Sequence, residues 1–213
     1  MTSDGEMTIG RVLARAAALG VPEHLQRMIA RCSEFHTYPA PGLVMGVFMV
    51  DRAMEGLGAT PGEKLFAVSE TKKCLPDALQ VIAHCTIGNN RLRVLEAGRF
   101  AITMNRPSTD ETTKGMRVSV DISRLEAFPT LQAWFMHDRS FDRKTMTGML
   151  FDEILGDGHR YLSTEPVSVR VSQKRGWQAA RCECCGEPVP DTLLTKGICA
   201  ACGDQRYYEP LEF

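Results

Sequence analysis

The sequence predicts an α+β domain followed by a small cysteine-rich module. Helix-patterned segments come first, short alternating segments follow, and helical segments return before a last strand-like stretch. Five of the eight cysteines crowd between Cys182 and Cys202, which sets off residues 176–213 from residues 1–175. The length of 213 residues suits one medium domain with an appendage better than two full domains.

Residues 8–19 place apolar side chains at helical spacing behind Thr8, a suitable N-cap, and Gly20 closes the segment. Pro22 opens a second helix to about Phe35, with Arg27 and Arg31 toward solvent. Residues 41–58 read as a helix buried nearly all round, emerging at Asp51, Arg52 and Glu55, and Gly42 and Gly46 permit close packing. The run 64–69 (KLFAVS) reads as a strand. Residues 75–85 read as a helix, with Pro76 and Asp77 suited to its first turn.

Residues 91–95 and 99–104 flank Glu96, Ala97 and Gly98 in the manner of a hairpin, and 116–122 alternates as a further strand. Helices at 130–137 and 144–155 and a strand at 164–172 complete a small, mostly antiparallel sheet with helices against one face. The polar turn at 172–176 is the expected domain boundary.

A net charge of -1 with 24% charged residues provides no global field for nucleic acid or an anionic membrane. The start MTSDGEMTIG lacks the basic and apolar regions of a secretory signal, so a cytoplasmic protein is expected. The apolar run 39–50 is too short to span a bilayer, and no phosphate-loop or dinucleotide motif suggests ATP or NAD.

Cys182-x2-Cys185 and Cys199-x2-Cys202 offer four thiolates in two knuckles, the donor set of a closed tetrahedral zinc site. Gly186 and Gly203 follow the second cysteine of each knuckle, where left-handed backbone is common. Residues 195–198 form a turn into the second knuckle, and Arg206, Tyr207 and Tyr208 read as a returning strand. Cys184 is surplus to four-coordination. The basic and aromatic residues of this module are balanced by Glu183, Glu187, Asp191, Asp204, Glu209 and Glu212, so protein docking fits it better than nucleic-acid binding.

Three motifs stand out upstream: FHTYPAPG at 35–42, ETKKCLPDALQ at 70–80 and HCTIGNN at 84–90. Together with the zinc ribbon they resemble the FmdE family of formylmethanofuran dehydrogenase subunits. Its members carry Phe-His-Gly-His-x-Cys-Pro-Gly, Cys-x-x-Asp-Ala-x-Gln and Gly-Cys-Thr-x-Gly-Asn, and many end in a zinc ribbon. The resemblance implies an α+β core related to the catalytic-domain fold of glyceraldehyde-3-phosphate dehydrogenase, a homodimer, and metal binding.

Carried over by motif, His36, Cys74 and Cys85 become candidate ligands of a second transition metal with an open position, and Tyr38, His84, Thr86 and Asn89 candidate pocket residues. The sequence departs from the pattern at Tyr38 in place of histidine, Ala40 in place of cysteine, and His84 in place of glycine. Cys74 and Cys85 also stand about 16 Å apart along a straight helix. A histidine beside a buried helix is ordinarily a packing residue and a single cysteine a small buried hydrophobe. Glu70 and Asp77 flank Cys74 and are placed to orient a ligand or carry a proton. His24, His137 and His159 have no motif around them.

The leading expectation is a metal-binding accessory protein that works with an oxidoreductase or metal-assembly partner. The alternatives are a metal- or thiol-dependent enzyme acting on a small molecule and a protein-interaction module with a degenerate pocket.

Overall fold

Thr8 opens α1 (Ile9–Ala18) by accepting the Arg11 backbone N–H on its hydroxyl at 3.3 Å, satisfying one of the helix's orphan donors. The computed structural model describes residues 7–171 and 176–209. The chain divides into two compact units, Met1–Val171 and Ser172–Phe213, and most of the polar turn expected at the boundary lies outside the described residues.

In the first unit, α2 (Glu23–Phe35) buries Leu25, Ile29 and Cys32 and leaves Arg27 and Arg31 exposed. The central helix α3 (Pro41–Leu57) has every residue from Gly42 to Val50 buried. Pro41 starts it, where a missing N–H costs nothing, and Gly58 ends it in the left-handed region at φ 59°. A Cβ on Gly46 would lie 3.1 Å from Leu75 and 3.2 Å from Ala78, so this glycine sets how closely α4 (Leu75–Ala83) approaches α3.

The strands are β1 (Phe66–Ser69), β2 (Leu92–Val94), β3 (Ala101–Asn105), β4 (Thr112–Val120) and β5 (Leu162–Arg170), in the order β2-β1-β3-β4-β5. The pairs β1–β3, β3–β4 and β4–β5 are antiparallel, and β1–β2 is parallel. The hairpin expected around residues 96–98 is therefore absent, because β1 lies between β2 and β3. A parallel pair needs a crossover, and α4 supplies it, so β1-α4-β2 is a βαβ unit. The chain then passes along the end of β1, where Leu95 N–H donates to Ser69 O and Glu70 N–H to Ala101 O.

Two further helices, α5 (Pro129–Phe135) and α6 (Arg143–Gly156), follow a single turn of 3-10 helix at Arg124–Ala127. α3 packs against α2, α4 and α6 and against β3, β4 and β5, and β3 is buried along its whole length. The core thus lies around one apolar helix.

In the second unit, β6 (Ala179–Arg181) pairs with β7 (Pro188–Pro190), and β8 (Leu194–Thr195) with β9 (Ile198–Cys199). Lys196 and Gly197, at φ 52° and 79°, form the two-residue turn between β8 and β9, where positive φ at both positions matches the strand twist. Residues 206–208 form no strand, contrary to expectation; instead Arg206 Nε donates to Tyr208 O at 3.3 Å.

Candidate metal centres

Each cysteine pair of the second unit is folded by backbone hydrogen bonds local to it. After β6, Gly186 N–H returns to Cys182 O at 2.9 Å, with Gly186 at φ 73°. After β9, the N–H groups of Cys202 and Gly203 both reach Cys199 O at 3.0 Å. The two knuckles bring the ligand atoms of Cys182, Cys185, Cys199 and Cys202 within 4.8 Å of one another.

Backbone amides favour thiolate at Cys182, whereas the sulfur of Cys185 beside it raises the Cys202 thiol. The N–H groups of Cys185 and then Cys199 hold the Cys182 thiol down to about 6, and the Cys199 bond is 3.3 Å long. Four thiolates at this spacing can hold a metal ion in a closed sphere. Cys184 is exposed and outside the set. Glu183 is a residue that spacing did not single out: its N–H donates to Gly197 O, and a Cβ on Gly197 would meet its carboxylate at 2.5 Å.

The first unit gathers a second constellation where α2 ends and α3 and α4 begin. His36 is the C-cap of α2, and its Nδ1 lies 2.6 Å from Oδ2 of Asp77 in the first turn of α4. Gln80 Nε2 supports the other carboxylate oxygen at 3.4 Å. His36 Nε2 is buried and has no hydrogen-bond partner among the described residues. The Tyr38 ring stands 4.9 Å from the imidazole and is half exposed.

Cys74 is the N-cap of α4, at φ 56°, a region that side-chain-bearing residues seldom adopt. It borders the start of α3: a Cβ on Gly42 would lie 3.2 Å from its sulfur. Burial and then the negative charge of Asp77 raise the Cys74 thiol above its usual value. Cys32, one turn before His36 and absent from every motif above, is fully buried, and burial pushes its thiol to about 12. Neither thiol has the lowered pKa of an activated nucleophile.

Cys85 does not join this constellation. α4 ends at Ala83, His84 turns the chain in the left-handed region at φ 52°, and the Cys85 thiol donates to Leu65 O at 3.2 Å, fully buried. Burial raises it to about 11. Among the described residues, the four ribbon cysteines are the one group of three or more His, Cys, Asp or Glu whose ligand atoms all lie within 4.8 Å. His36, Cys74 and Cys85 thus form no ready three-ligand cluster.

The other motif residues build the turn after α4. Asn89 Oδ1 accepts from the N–H groups of Thr86 and Arg91, Thr86 Oγ1 accepts from Asn89 N–H, and Asn89 Nδ2 donates to the carbonyl of exposed His84. Thr86 and Asn89 thus direct their polar groups to their own backbone. Of the two acids beside Cys74, Asp77 orients His36, whereas buried Glu70 is bound by Arg117 at 2.8 Å and Arg99 at 2.6 Å.

Among the described residues, no helix is long and apolar enough to cross a membrane. A relative from Archaeoglobus fulgidus, named a probable S-adenosyl-L-methionine-binding protein, is 30% identical over 204 residues. The match covers 86% of this chain and 54% of the relative, so the chain spans about half of its length. The crystal structure of a tungsten formylmethanofuran dehydrogenase FmdE-like protein from Syntrophus aciditrophicus superposes with a TM-score of 0.72 at 30% identity, covering 86% of this chain and 95% of that one. The family model described as "FmdE, Molybdenum formylmethanofuran dehydrogenase operon" matches residues 35–169. With most of the first unit matched by that model and its fold shared with an FmdE-like protein, the chain belongs to the FmdE family.

Proposed function

We propose that this protein is a metal-binding accessory protein of the FmdE type, with zinc in a structural ribbon and a second metal or ligand pocket at His36 and Cys74. The observation that carries the reading is the cysteine tetrad, four sulfurs within 4.8 Å of one another on a unit too small to build a sufficient core of its own. Zinc is the ion we assign, because tetrahedral all-thiolate coordination suits it and leaves no open position for chemistry.

The second pocket is supported by the His36–Asp77 pair. A carboxylate on Nδ1 fixes the tautomer that leaves Nε2 as a lone-pair donor, the usual outer-shell arrangement of a metal-bound histidine. Nε2 is buried and has no hydrogen-bond partner among the described residues. The setting we propose is a cytoplasmic homodimer that serves an oxidoreductase or its metal assembly.

Metal analysis of protein passed through a mild chelator tests this. Two metals per chain are expected. Cys182→Ser should remove one and melt the ribbon, and His36→Ala should remove the other. A single metal that His36→Ala leaves in place would eliminate the second pocket.

The name of the Archaeoglobus relative favours a second reading, in which the pocket takes S-adenosyl-L-methionine itself. Calorimetric titration with that compound, on wild type and on Tyr38→Ala, decides between a metal and an organic occupant.

A further inference from the structure

Asp51, where α3 emerges from the core, holds its carboxylate between two histidines that come from distant parts of the chain. His24 on α2 places Nε2 3.5 Å from Oδ1, and His159 in the turn between α6 and β5 places Nε2 3.3 Å from Oδ2. We propose that His24, Asp51 and His159 form a binding site for a divalent late transition metal, separate from both the ribbon and the His36 pocket.

Two imidazoles and one carboxylate are a recognised donor set for zinc, nickel, copper or ferrous iron. The distances agree with the edges of a coordination sphere: donors about 2.0–2.1 Å from one tetrahedral ion stand roughly 3.3–3.4 Å from each other. The His159 separation is at that length and the His24 separation close to it, and because the two imidazoles face different oxygens of Asp51, an ion between them would draw on both carboxylate oxygens. The three residues do not yet bring one ligand atom each within 4.8 Å, so the grouping has to contract around an ion. His24 is the side chain free to make that change. It is half exposed on a helix surface, and a rotamer change is inexpensive there.

His159 is already fixed. Its ring meets Phe48 edge to face with centroids 5.5 Å apart, and Gly158 beside it lies against the same Phe48. Its Nε2 is buried and makes no hydrogen bond among the described residues, although a carboxylate oxygen stands 3.3 Å away. The separation is thus compatible with a shared ion, while the direction is not that of a donated proton. The nearby positive charges are answered locally: Arg52 pairs with Glu55 at 2.5 Å and Arg160 with Asp157 at 3.1 Å. An ion bound here would tie α2, α3 and the α6–β5 turn together.

Nickel(II) titrated by calorimetry into the full-length protein, stripped by a mild chelator of all metal but the ribbon zinc, is the test, with thermal unfolding read in parallel, and the equivalent that persists in His36→Ala is the one assigned to this site. That equivalent should bind and raise the melting temperature, since an ion that binds only the folded chain stabilises it by mass action. His24→Ala and Asp51→Asn should each weaken nickel binding at least about tenfold, the lower end of what damage to a metal site costs. His36→Ala should leave it unchanged. His24 is exposed enough for its variant to fold, which the melting curve without nickel verifies. Three outcomes would overturn the proposal: no nickel binding, binding indifferent to His24→Ala and Asp51→Asn, or binding lost in His36→Ala. The first would leave a pair of histidine–carboxylate contacts, and the last would assign the ion to the other pocket.

Discussion

Gly158→Ala perturbs a place where glycine is required for space rather than for conformation. A Cβ there would overlap two atoms of the Phe48 ring and stand 2.6 Å from a third, against 3.4–4 Å for ordinary contact, an intrusion of about 1 Å. Phe48 is 3% exposed within α3, so its ring has nowhere to go without displacing the helix at the centre of the core. Overpacking on this scale costs about 2–3 kcal/mol, which lowers the melting temperature of a chain of this size by roughly 4–12 °C. Thermal and urea unfolding by circular dichroism, at saturating zinc, measures it. Gly20→Ala is the control, because Gly20 has open space around it but φ +72°. That substitution should cost about 1–2 kcal/mol through conformation alone. In a Phe48→Leu background the cost of Gly158→Ala should fall while that of Gly20→Ala persists. A Gly158→Ala protein within about 0.5 kcal/mol of wild type would refute the packing argument.

Tyr161→Phe should be neutral or stabilising by up to about 1 kcal/mol, because the fully buried hydroxyl has no hydrogen-bond partner among the described residues. A clear loss in urea unfolding would reveal a partner. Glu70→Gln should cost about 1.5–3 kcal/mol at neutral pH by removing charge-assisted bonds from Arg117 and Arg99. The Arg117 hydrogen bond holds the Glu70 carboxyl below its usual value of 4.5, so its stabilisation is complete above that pH and is lost as pH falls through the folded value. The gap between wild type and Glu70→Gln should therefore close on acidification, and a gap that stays constant down to about pH 3 would contradict the assignment.

What was legible in the sequence was what neighbouring residues decide. The buried run of α3, its Pro41 start and its Gly58 stop follow from local pattern, and α3 has those bounds. The two-knuckle spacing likewise anticipated a cysteine cluster, because each knuckle is closed by hydrogen bonds within a few residues. The place of β2 was not legible. Residues 91–104 carry a hairpin signal, and only the crossover through α4 shows that β1 takes the place between the two strands. The setting of Cys85 was not legible for a related reason: its motif marks the end of α4, and one left-handed residue at His84 turns its thiol to Leu65. The His24–Asp51–His159 grouping is assembled from three distant segments with no shared motif, so periodicity could not reveal it.

The departures at Tyr38 and Ala40 acquire a physical meaning once His36 is seen paired with Asp77. A metal pocket that lost its orienting carboxylate would have its imidazole free to turn, whereas this chain keeps the orienting pair and lacks an imidazole and a thiolate of the motif. With Cys85 committed to Leu65 O, the protein donors we assign at this place are His36 Nε2 and the Cys74 thiol. Two donors leave at least two positions of a four-coordinate ion for outside ligands, the opposite of the closed ribbon. Half-exposed Tyr38 has its ring 4.9 Å from that of His36, and its hydroxyl can donate to an anion or accept from a cation. The substitutions that weaken a structural metal site are therefore those that would open one to exchange.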